Sequence, residues 1–212
     1  MGVLLWSIHI SKAVIFPTMK KLTLALLLTL TCATAWAADF DKGLAAYEAG
    51  DFATALAEWK PLAGQGYANA QYNLALMYDS GQGVIEDDKE AVKWYRLAAE
   101  QGVANAQYNL GLMYDSGQGV IQDDKEAAKW YRLAAEQGNA DAQSNLGVMY
   151  ATGQSVIQDN VYAHMWWNLA AASGSEKARS NKNILVKQMT SQDVSKAQDL
   201  ARECVKKNYK LC

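Results

Sequence analysis

Histidine is nearly missing from this chain of 212 residues, which holds two, His9 and His164, beside three cysteines, Cys32, Cys204 and Cys212. A lone histidine with no cysteine or second histidine nearby is neither a metal site nor half of a catalytic pair. The nucleophile motif Gly-x-Ser-x-Gly does not occur, and Ser-x-x-Lys is absent after the first 37 residues. Gly81 and Gly83 have no strand before them and no Lys-Ser/Thr after them, which rules out a phosphate loop and leaves a helix–helix turn. Asp79, Asp87 and Asp88 lack the spacing of an EF-hand and suit helix capping better. Positive charge is scarce in the body: residues 39–174 carry 8 Lys/Arg against 18 Asp/Glu, a net of −10. Without a basic stripe there is little to hold nucleic acid. After residue 37 no apolar run approaches the roughly 20 residues a membrane span needs. These absences leave no enzyme to assemble and imply no cofactor.

What is present is repetition. From Gly66 the chain reads GYANAQYNLALMYDSGQGVIEDDKEAVKWYRLAAEQ, and from Gly102 it reads GVANAQYNLGLMYDSGQGVIQDDKEAAKWYRLAAEQ. The two 36-residue blocks differ only at Tyr67/Val103, Ala75/Gly111, Glu86/Gln122 and Val92/Ala128. A looser copy starts at Gly138, and the register mark returns at Gly174. A period of this length signals a solenoid, in which each unit covers the apolar face of its neighbour.

The ends read differently. Met19-Lys20-Lys21, the apolar run Leu22 to Leu30 and Ala35-Trp36-Ala37 form a secretory signal peptide, with cleavage expected before Ala38 and translation expected to start at Met19. Acylation at Cys32 is the rival, disfavoured by Thr31 directly before it. The expected location is therefore periplasmic or secreted. In an oxidising compartment Cys204 and Cys212 read as one disulfide, the alternative being two free thiols in a frayed tail. Residues 175–212 carry 9 Lys/Arg against 4 acids, a net of +5. This basic end is a solvated helix face, or it meets an anionic surface or the acidic face of another copy, so self-association is possible. The expected segments are a leader at 1–37, a helix pair at 38–65, repeats at 66–101, 102–137 and 138–173, and a capping helix with tail at 174–212.

Within a repeat, Ala70, Leu74 and Tyr78 recur at helical spacing and predict a first helix over 68–78. Glycine after Asp79-Ser80 ends it. Val84 and Ile85 are expected to plug the interior of the loop. Asp87 and Asp88 then cap a second helix running to about Glu100, with Ala91, Trp94, Tyr95 and Ala98 on its apolar side. Small residues at Ala75, Gly111 and Gly147 let a neighbouring helix approach, and Trp94, Trp130 and Trp166 are expected to fill the space between layers. His164 stands where the other copies have Val92 and Ala128, and reads as a helix-surface substitution.

The pattern Ala-x-Ala-Gln-x-x-Leu-Gly-x-Met-Tyr, then Gly-x-Gly-Val, Asp, and Ala-x-x-Trp-Tyr-x-x-Ala-Ala-x-x-Gly resembles the Sel1-like repeat, a relative of the tetratricopeptide repeat. Repeat 3 departs from it at Ser155 and at Asn160 to Tyr162. Ahead of the repeats, FDKGLAAYEAGDFATALAEWKPLAGQG resembles a tetratricopeptide helix pair, and MTSQDVSKAQDLARECVKKNYKLC resembles the closing helix of exported bacterial members. The resemblance implies an all-α, right-handed α-solenoid of helix-turn-helix repeats capped by a C-terminal helix. It also implies a non-enzymatic scaffold that binds a protein or peptide. The alternative it implies is binding or hydrolysis of β-lactams or peptidoglycan fragments, as proposed for cysteine-rich secreted relatives, whose repeated cysteine pairs are absent here.

On the first helix of each repeat, the side opposite Leu74 carries Asn69, Tyr72, Leu76 and Asp79. The next copy places Asn105, Tyr108, Leu112 and Asp115 there, and the third places Ser144 and Val148. In related repeats this helix lines the concave face, so the strip would present apolar anchors edged by amides and carboxylates to an extended peptide or a partner helix. The competing reading is that the helix is sandwiched between neighbours and the strip is packing.

Overall fold

In a computed structural model of the protein, which describes residues 38–210 and 212, the polypeptide is a row of antiparallel helix pairs. The leader segment and Cys32 lie outside the described residues. Ten helices occur among those described: α1 (Phe40–Glu48), α2 (Phe52–Gly64), α3 (Ala68–Ser80), α4 (Asp88–Glu100), α5 (Ala104–Ser116), α6 (Asp124–Ala135), α7 (Ala140–Thr152), α8 (Asn160–Ala172), α9 (Glu176–Val186) and α10 (Ser191–Lys206). Each packs on the next in sequence through α9, and α10 folds back onto α8. The result is an all-α solenoid.

The local chemistry of every repeat is the same. The odd-numbered helices α3, α5 and α7 end at Gly81, Gly117 and Gly153, whose φ values of 68°, 73° and 76° belong to the left-handed region that favours glycine. The following helices start at Asp87, Asp123 and Asp159, whose carboxylates accept two backbone N–H bonds each. The core falls into four clusters along the row, in which small residues pack against aromatics. Ala70, Leu74, Ala75 and Met77 of α3 are buried, as are Ala91, Tyr95, Ala98 and Ala99 of α4.

Several expectations are corrected. Only Val84 of the loop pair turns inward, against the α2–α3 core. Ile85 is 90% exposed, because adjacent residues of an extended loop point to opposite sides. The aromatics that meet the small residues are Tyr131 above Gly111 and Trp167 above Gly147. Their repeat-1 equivalent, Tyr95, is wholly buried. Trp130 and Trp166 are buried as expected, but Trp94 is only half-buried. His164 is not on the surface: it is 2% exposed, since α9 covers the α8 face that α4 and α6 turn to the next repeat. The C-terminal cap is two helices, α9 and α10. Cys204 and Cys212 are joined as a disulfide with Cα atoms 5.4 Å apart.

Candidate functional site

The strip on α3 and α5 is half-open. Tyr72 and Leu76 are half-buried, Asn69 is exposed, and the same order returns in Tyr108, Leu112 and Asn105, with Leu112 37% exposed. Each tyrosine leans on the buried aromatic of the next helix, Tyr72 on Tyr95 with ring centroids 6.0 Å apart and Tyr108 on Tyr131 at 5.9 Å. Partial burial pushes the hydroxyl pKa of Tyr72 and Tyr108 upward, so both remain neutral donors. The strip thus offers apolar rings and leucines edged by amides, with the exposed Asp141 carboxylate beside Tyr108.

Asp79 and Asp115 are committed elsewhere. The Tyr95 hydroxyl donates to Asp79 Oδ2 at 3.0 Å, and the Tyr131 hydroxyl donates to Asp115 Oδ2 at 3.4 Å. Desolvation first, then the neighbouring carboxylate, pushes both tyrosine pKa values far upward. Gln118 and Gln154 reach back from the following loop to Asp79 and Asp115, both at 3.5 Å. These aspartates tie successive repeats together. Asn105 accepts from the Asn139 amide at 3.1 Å, another tie between repeats.

The strip stops in repeat 3. Ser144 is 3% exposed and takes no part in an open surface, while Val148 is half-buried. Three changes explain this together. Trp167 stands at the place of Tyr131, Ala151 at that of Asp115, and Ser144 at that of Tyr108. The larger indole occupies the room of the missing phenol, and its N–H, with no aspartate to meet, donates to the Ser144 carbonyl at 3.0 Å. Ser144 is needed small because Trp167 is large.

Sequence reasoning missed the polar ladder that runs between repeats. The buried Gln71 donates to the Ala63 carbonyl at 3.1 Å and accepts from Gln101 at 2.7 Å. Gln107 repeats this with Ala99 and Gln137. Gln143 keeps the donation to Ala135, but Ser173 stands where Gln101 and Gln137 stood, and Gln143 Oε1 has no partner. Arg96 donates to the Tyr114 hydroxyl at 2.6 Å and Arg132 to that of Tyr150 at 2.7 Å. The next position is Asn168, which accepts from Lys182 instead. The signal was in the sequence as identical polar residues at fixed 30- and 18-residue offsets, lost together in the last copy.

Among the described residues, no group of three or more His, Cys, Asp or Glu is placed to hold a metal ion, and no helix is long and apolar enough to cross a membrane.

Comparison with known proteins agrees with this architecture. Residues 68–103, 104–139 and 140–175 each match the family model described as Sel1 repeat. The crystal structure of a Sel1 repeat protein from Oxalobacter formigenes is similar over 78% of this chain and 75% of that one, at 30% identity and a TM-score of 0.69. The structure of c5321, a protective antigen present in uropathogenic Escherichia coli strains and displaying an SLR fold, is similar over 74% of this chain at 30% identity and a TM-score of 0.55. This chain spans 43% of that antigen. No curated protein matches the sequence. The chain belongs to the Sel1 repeat family, whose repeats form a generally non-catalytic scaffold typical of protein–protein interaction.

Proposed function

We propose that the protein is an adaptor of the bacterial cell envelope that binds an extended peptide or a helix of a partner protein along the concave strip of α3 and α5. The observation that carries this reading is the repeated half-exposure of the same apolar set, Tyr72 with Leu76 and Tyr108 with Leu112, in two adjacent repeats. Apolar anchors edged by amides suit a main-chain ligand, the rings supplying buried area and Asn69, with the remaining amide N–H of Asn105, supplying hydrogen bonds. The envelope location is supported by the leader pattern at Met19 to Ala37 and by the Cys204–Cys212 disulfide.

The test is capture of envelope proteins by the purified chain beside two variants of equal helicity. One is Tyr72/Leu76/Tyr108/Leu112→Ala, and the other is Leu76→Glu/Leu112→Glu, which leaves the packed tyrosines in place. A protein held by the parent and lost by both variants supports the strip and identifies the partner. Equal capture by all three overturns it.

A further inference from the structure

Two surface features are left over once the strip is assigned. The first is a row of isoleucines. Ile85, Ile121 and Ile157 occupy one position of the three loops and are 90%, 90% and 89% exposed. An isoleucine in water contributes nothing to the core. Repeat 3 nonetheless retains Ile157 while replacing Asp124, Lys125 and Glu126 by Asn160, Val161 and Tyr162. The first loop is also the most acidic: after Ile85 come the exposed Glu86, Asp87, which caps α4, and Asp88, which accepts from Gln118 at 2.8 Å, and all three put negative charge on this face.

The second feature is a groove of about 300 Å3 between α8 and α10. Its floor is aliphatic, formed by Leu169, Ala172, Ala201 and Val205, and Arg202 and Lys206 stand on its edge. Val205 is half-exposed there. Arg202 pairs with Asp199 and Lys206 with Glu203 one turn away, but both pairs are exposed and hold their cations weakly. The surrounding segment 175–212 keeps its net charge of +5.

An apolar knob backed by acids and an apolar groove edged by bases are complementary in polarity and in sign. We propose that Ile85 of one chain seats in the α8–α10 groove of a second copy, with the acids after Ile85 facing Arg202 and Lys206. Knob and groove are different surfaces of the chain, so a single contact leaves the groove of one copy and the knob of the other free. The buried area is small against that of a stable dimer, and the association is accordingly weak and sensitive to salt. This contact leaves the α3–α5 strip open and does not depend on it.

Sedimentation of the purified chain tests it without any partner protein. The parent should self-associate at low salt and dissociate as salt rises. Ile85→Glu, or Val205→Glu, should weaken association about tenfold or more. Lys206→Glu should act in the same direction without touching an apolar side chain. All three positions are exposed, so helicity should not change. The two apolar variants mixed together should recover one contact, because the first keeps its groove and the second its knob, giving a one-to-one pair. The strip variant Leu76→Glu/Leu112→Glu should associate like the parent. A parent that stays monomeric at low salt, association indifferent to both apolar variants, a mixture that remains monomeric, or loss of association in the strip variant would each overturn the proposal.

Discussion

A Cβ built on Gly147 would lie 2.4 Å from the indole of Trp167, a distance that no real side chain tolerates. The helices of the third repeat therefore meet through a bare backbone, and Gly147→Ala must push the ring or the helix aside. We expect a loss of about 1–3 kcal/mol, read as a lower urea midpoint at an unchanged slope. Gly111 faces Tyr131 in the same way, with ring atoms 2.7 Å from a built Cβ. There the outcome should differ, because repeat 1 already carries a buried Ala75 in the cluster with Tyr95. Gly111→Ala should stay within about 1 kcal/mol of the parent, the small ring shift being offset by the helix propensity of alanine.

The loops carry a second glycine test. Gly119 has φ of 69°, and a Cβ there would meet the Asp88 carbonyl oxygen at 2.4 Å. Its counterpart in repeat 3 is Ser155, held at φ of 57°. A left-handed serine is strained where glycine is not. Ser155→Gly should raise stability by up to about 1 kcal/mol, the strain relieved being partly offset by the freer unfolded chain. Gly119→Ser should lower it by more than that, through the clash. Thermal melts of the two variants beside the parent would show opposite signs.

These positions also show what the residues alone could and could not say. Period, helix order and caps were legible because glycine ends a helix and aspartate starts one through local chemistry, repeated three times. Which aromatic is central was not legible, since Trp94 and Tyr95 are neighbours and only the crossing of two helices decides which one faces Ala75. The Val84–Ile85 pair failed for a similar reason: two apolar residues in an extended loop cannot both point inward. The position of His164 faces the following element in every copy: Val92 is buried against the next repeat and His164 against α9, a packing face that spacing within one helix does not reveal. Ser144 is enclosed because Trp167 stands where the other copies have a tyrosine. A repeat pattern predicts the interior of a solenoid better than its ends. For the candidate strip, spacing picked out one helix side, but the commitment of Asp79 and Asp115 to Tyr95 and Tyr131 needed the neighbouring helix.

The disulfide closes a short loop, Cys204 and Cys212 being eight residues apart. A loop of that size restricts the unfolded chain by about 2–3 kcal/mol in the chain-entropy view. Cys204→Ala/Cys212→Ala should lose up to that amount and release Tyr209, which packs against the α6–α8 core and next to Gly138. Urea titration with and without reductant should bring the parent down to the variant and leave the variant unmoved.

His164 gives the protein a pH dependence of defined sign. Burial, and then the nearby Lys182 ammonium, depress its pKa below the ordinary histidine value. Its Nδ1 is buried without a partner, so a proton placed there gains no hydrogen bond in the fold. The unfolded chain takes up the proton first, near pH 6.5, while the folded chain resists until lower pH. Stability is therefore full above about pH 6.5 and falls as the pH drops through the unfolded value toward the depressed folded one. His164→Val, which restores the residue of Val92 in repeat 1, should remove that slope and relieve the unpartnered nitrogen. Unfolding free energies of both proteins at pH 7.5 and at pH 5.5 would decide it. A parent that loses more stability than the variant on acidification bears out the buried neutral imidazole, and parallel losses would mean that the side chain reaches water or a carboxylate.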